Sequence, residues 1–109
     1  MIEQIIIKYL SEVLEIPVST EVPTTGEKFI VIEKVGSSIE NHVNTATIAV
    51  QSYAPSMYET AELNQLVKET LDGIIYATDI SKAECNTDYN YPDLQRKKER
   101  YQAIYDFVY

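Results

Sequence analysis

At 109 residues the chain has the size of one domain, 1–109, and its 45% hydrophobic content is enough for a real core and excludes wholesale disorder. Seventeen acidic residues against nine basic ones leave a formal charge of -8, which repels phosphate backbones and argues against specific nucleic-acid binding. The single cysteine, Cys85, excludes an internal disulfide and a thiolate-rich metal centre, and it reads as a half-buried strand residue in a reducing compartment.

The first residues, "MIEQIIIKYL", place Ile2, Ile6, Tyr9, Leu10 and Val13 at helical spacing. Glu3, Lys8 and Glu12 interrupt the apolar run, so it predicts an amphipathic helix and neither a secretory leader nor a membrane span. The protein is therefore expected to be intracellular and soluble when made. Pro17 must lie beyond the helix, because proline disfavours helical backbone at the residue before it. Val18 to Val22, bounded by Pro17 and Pro23, is expected to be a short edge strand.

"KFIVIEKV" is β-branched and aromatic, with Phe29, Val31 and Val35 on one face and Ile30, Ile32 and Lys34 on the other. Apolar residues on both faces predict a central strand. "TATIAVQSY" predicts the next, with Ala46, Ile48 and Val50 sharing a face. Between the two lies "GSSIENHVN", nine mostly polar residues without an Asn-Gly or Asp-Gly signal, read as a long arm rather than a tight turn. Ser56 followed by Glu59 forms a capping box. It opens a helix expected from about Ser56 to Tyr76, with Leu63, Leu66, Val67, Thr70, Leu71 and Ile74 as its buried stripe. "ISKAECNT" is a weaker strand, "DYNYPDLQRKKE" a polar loop, and "RYQAIYDFVY" a clearly alternating final strand. The order α-β-β-β-α-β-β predicts an α+β fold: one mostly antiparallel sheet of four to five strands, two helices packed on one face, and a long hairpin arm.

Chemistry is sparse in this pattern. His42, the only histidine, sits in the arm beside Ser37 and Ser38, without a nucleophile elbow or a glycine-rich oxyanion loop, and reads as a solvent or interface residue. The carboxylates are dispersed over different elements, and neither "DISKAE" nor "DYNYPD" fits a calcium loop. The run "RKKER" at Arg96 to Arg100 reads as a solvated strand entrance. No catalytic residue, metal or cofactor is expected. Nine tyrosines in a chain without tryptophan suit protein contact surfaces, and Tyr89 and Tyr91 in the polar loop are the best placed for that use.

The layout resembles the tail terminator proteins of long-tailed bacteriophages, also called tail completion or tail-to-head joining proteins, including minor capsid proteins of prophages. The resemblance rests on the N-terminal helix, "KFIVIEKVG", a polar loop, "NTATIAVQSYA", the helix of "A..L...V...L" type and the terminal "RYQAIYDFVY". It covers nearly the whole chain in order. The family often carries a glycine pair and an arginine where this chain has "KVGSS", and often ends in an arginine where this one ends in Tyr109. The resemblance implies a non-enzymatic virion protein, made in the host cytoplasm and located in the virion tail. It would assemble with itself as a ring, usually a hexamer, and meet the tail tube protein and the head connector protein. DNA would pass through the ring without specific binding, past acidic walls. The arm, Ser37, Ser38, Ile39, Glu40, Asn41, His42, Val43 and Asn44, together with Tyr89 and Tyr91, would then form subunit interfaces. A small intracellular adaptor or regulatory module, binding a protein partner through a sheet edge, is the alternative reading.

Overall fold

The computed structural model describes residues 1–109. Helix α1, Ile2–Leu14, buries Ile2, Ile6 and Leu10 at intervals of four. Val13, expected on the same face, is exposed near the helix end. The helix stops at Glu15, whose left-handed backbone (φ 55°) lets its N–H bond Ser11 O. Strand β1 is only Val18–Ser19, shorter than expected, and pairs in parallel with β2, Phe29–Glu40.

Strand β3, Val43–Ala54, returns antiparallel to β2, so the two form one continuous hairpin. The segment Gly36–Asn44, read from the sequence as a polar loop, is strand except for the two-residue turn Asn41-His42. Both turn residues lie in the left-handed region, at φ 52° and 65°. That is the backbone a two-residue hairpin turn needs, and asparagine adopts it at modest cost. Glycine is usual at the second position, and histidine hides the signal. The pairing slips by one residue between Lys34 and Gly36, so Val35 is a bulge; it stays on the side of Phe29 and Val31, as expected, but is exposed there rather than packed.

Helix α2, Met57–Leu71, begins at Ser56, whose Oγ accepts a bond from Glu59 N–H at 3.2 Å. Ser56→Ala should therefore lower stability by about 1 kcal/mol in a urea melt. The helix is shorter than its expected reach to Tyr76. It breaks at Asp72-Gly73, and a separate short helix α3, Ile74–Ala77, follows. An ideal Cβ on Gly73 would stand 3.0 Å from Tyr9 Oη, which itself donates to Thr70 O at 2.9 Å. The break thus lies where Tyr9 of α1 reaches the end of α2.

Strand β4, Lys82–Asn90, and strand β5, Glu99–Val108, complete a five-stranded sheet of order β1-β2-β3-β5-β4. Every pairing except β1–β2 is antiparallel. Tyr89, expected in a loop, belongs to β4. One face of the sheet carries α1 and α2. There Ile30, Ile32, Ile48, Val50, Tyr105 and Phe107 meet the helices' buried leucines, isoleucines and valine. Tyr105 is so deep that burial pushes its phenol far above the ordinary value, and Cys85 beside it is half-buried with its thiol raised by the same cause. Asp88 ties α2 to β4, accepting from Asn64 Nδ2 at 2.8 Å and Lys68 Nζ at 3.1 Å. The fold class is the one the sequence pattern predicts, with a parallel first strand and a third short helix added.

Candidate assembly surface

The other face of the sheet has no helix over it. Its apolar part is small: Phe29, Val31 and Tyr53, with Val22 against them. The Phe29 and Tyr53 rings stack at 4.6 Å and 19°. Beside them the face turns polar. Gln51 Nε2 donates to Gln102 Oε1 at 2.8 Å, and Gln102 Nε2 donates to Tyr89 Oη at 2.6 Å. These three residues lie opposite one another on β3, β5 and β4, so the stripe follows directly from register. A shallow depression crosses it, lined by Glu33, Val35, Tyr89, Tyr91, Arg100 and Ile104 among others.

At the end of this face the turn from β4 to β5 is held by Asp93, which is 4% exposed. Asp93 and Lys98 exchange both backbone bonds, at 2.9 and 3.1 Å. The Asp93 carboxylate accepts from Tyr53 Oη at 2.9 Å and from both the backbone N–H and Nη1 of Arg96 at 3.2 Å. Arg100 stands 3.9 Å away, donates to Tyr91 O at 2.7 Å and to Tyr53 Oη at 3.1 Å, and lays its guanidinium over the Tyr91 ring at 4.4 Å. Burial would raise the Asp93 carboxyl. The bonds from Tyr53 and Arg96 and the charge of Arg100 outweigh it and hold the group below the usual carboxylate range. Tyr53 moves the other way, raised first by its own burial and then by donating to Asp93.

The sequence-predicted interface residues fall into two separate places. Ser37 to Val43 are exposed and Asn44 is half-buried, at the far end of the β2–β3 hairpin. Ser38 Oγ and Thr45 Oγ1 share a 2.6 Å bond across it. Strand β5 runs alongside as far as Thr45, so only the last two residue pairs and the turn stand beyond the sheet. Along β2 the outer edge from Ile32 to Glu40 has no strand beside it, and β4 forms the opposite open edge. Tyr89 and Tyr91 lie near the other end of β5: Tyr89 is level with Gln51, nine residues or about 30 Å along β3 from the hairpin turn. His42 sits at the hairpin turn. No group of three or more His, Cys, Asp or Glu converges anywhere in the chain.

Sequence reasoning missed the Asp93 clamp. "PDLQR" does carry a local signal: aspartate after proline, with its carboxylate placed for the N–H three residues on, is a turn-former. Its second partner, Tyr53, is 40 residues away and could be found only from the fold. No helix is long and apolar enough to cross a membrane. No protein-family model matches the chain, and no curated protein matches it in sequence.

Proposed function

We propose that the protein is a tail terminator of a long-tailed bacteriophage or prophage. Its subunits close into a ring that caps the tail tube, ends polymerisation of the tube protein, and offers the joint to the head connector. The order of elements agrees with the family pattern. The observation that carries the reading is the hairpin Phe29–Ala54. Its outer half exposes Val35, Ile39 and Val43 and leaves a long strand edge unpaired, and a subunit that worked alone would have no use for such a surface. A neighbour that covers it removes both liabilities. The net charge of -8 suits a channel wall that lets DNA pass without holding it.

Electron microscopy of the purified protein tests this reading, with closed rings as the expected result, as does a filter assay at physiological salt, with no tight duplex DNA binding expected. A variant lacking Ile39, Glu40, Val43 and Asn44 removes two facing pairs and keeps the Asn41-His42 turn in phase. It should melt within a few degrees of the wild type, because these residues bury little, yet fail to form rings. Normal rings from this variant would show the hairpin tip to be passive. A wild type that stays monomeric at every concentration would overturn the ring. The open β2 edge also favours a second reading, an adaptor that receives an extended peptide as an added strand. That protein would remain monomeric and gain strand content with its peptide.

A further inference from the structure

The ring reading covers the β2–β3 hairpin with a neighbour and leaves open whether another surface joins the copies. Four of the chain's nine cations, Arg96, Lys97, Lys98 and Arg100, fall within five residues, on a protein that is otherwise strongly acidic. Arg100 is used internally, over Tyr91 and against Tyr53 and Asp93. Arg96, Lys97 and Lys98 are exposed around the turn. At its tip stands Leu94, 84% exposed. The Asp93 clamp and the paired Asp93–Lys98 backbone fix the turn that carries this leucine. A leucine held in water by a rigid turn adds nothing to its own core. The backbone that carries it is ordered before any partner arrives, which favours binding.

A surface of opposite character lies on the same molecule. The outer side of α2 carries Tyr58, Glu62, Leu66 and Glu69 at helical spacing, all exposed. Between them is a hollow floored by Leu63 and Leu66, with Glu62, Glu69 and Gln65 around it and Lys28 on its rim. Two carboxylates against one lysine, beside two leucines, complement an exposed leucine whose turn also carries Lys97 and Lys98. The exposure of Leu94 means that its own subunit does not supply the fit.

We propose that the Leu94 turn docks on α2 of a second copy of this chain, Leu94 entering the hollow and Lys97 and Lys98 facing Glu62 and Glu69. The contact joins two different patches, so each copy still offers a free turn and a free helix. Such a head-to-tail contact propagates and closes as a ring when the rotation between copies allows. The proposal rests on the ring reading and adds a second contact to the one at the hairpin. Association should weaken as salt screens the charges.

Light scattering after size exclusion, with electron microscopy, tests it on the full chain. Leu94→Asp, the pair Lys97→Glu with Lys98→Glu, and the pair Glu62→Lys with Glu69→Lys should each weaken assembly by about tenfold or more. All the altered side chains are exposed, so melting temperatures should stay near the wild type's, and that measurement separates lost docking from lost folding. The two charge-reversed pairs should fail alone and assemble when mixed, since each then meets its complement in both directions. If these variants form rings like the wild type's, the interface lies elsewhere and the ring reading stands. If the mixture fails while each variant remains folded, the charge pairing is wrong. A wild type that never assembles overturns both.

Discussion

Asp93→Ala is expected to destabilise the fold by about 3–5 kcal/mol, the cost of removing one partner from a buried ion pair. The Arg100 side chain is 13% exposed and would lose its nearest counter-charge while remaining stacked on Tyr91. Tyr53, almost fully buried, would lose the acceptor for its hydroxyl. The turn would lose the bond that closes it onto Arg96 N–H. Urea unfolding followed by tyrosine fluorescence measures the loss, and a change below about 1 kcal/mol would mean that water replaces the clamp without cost. Acid gives an independent check. The folded state holds Asp93 below its ordinary value, so the unfolded state binds the proton more readily. The clamp's contribution is then fully present above the ordinary carboxylate range. It is lost as pH falls through the depressed value. Asp93→Asn keeps the shape and removes the titration, so its stability should fall less steeply with acid than the wild type's.

The second large effect separates two leucines one helical turn apart. Leu63→Ala should cost about 2–5 kcal/mol, because Leu63 is 2% exposed and packs within the main core. Leu66→Ala should cost under about 1 kcal/mol, because Leu66 is 43% exposed. The sequence pattern placed both in the buried stripe, so that Leu66→Ala would be expected to cost about 2–5 kcal/mol as well. The helix itself explains the difference. Thr60, Leu63, Asn64, Val67 and Leu71 fill the arc that meets the sheet. At about 100° per residue Leu66 lies roughly 120° from the middle of that arc. Periodicity finds an apolar stripe, but here two polar residues, Thr60 and Asn64, take the inner positions and an apolar one takes an outer one. Equal losses at both sites in urea melts would contradict this orientation.

Where a signal is local, the chain carried it in its order of residues. Ile2, Ile6 and Leu10 recur at four and make α1's buried side whatever surrounds them. Ser56 and Glu59 cap α2 through a bond three residues long. The alternation of Ala103, Tyr105 and Phe107 puts them on the helix-covered face of β5. From such units the α+β class and the element order were legible, because each depends on neighbours within one or two turns or a single pleat.

The tertiary structure decided what depends on distant partners. Residues 36–44 are mostly polar and weak as strand formers, yet they pair because β3 is held by β5 as far as Thr45 and offers β2 a template that the Asn41-His42 turn closes two pairs further on. Leu66 faces outward because α2 turns Asn64 toward Asp88 on β4, a contact across 24 residues. Asp93 is buried because Tyr53, 40 residues earlier and level with Arg100 on the neighbouring strand, reaches it at the base of the β2–β3 hairpin. The basic run that read as solvated charge became a clamped turn with a leucine at its tip for the same reason. A carboxylate and the arginines around it define a geometry only after a phenol from another strand supplies the third point.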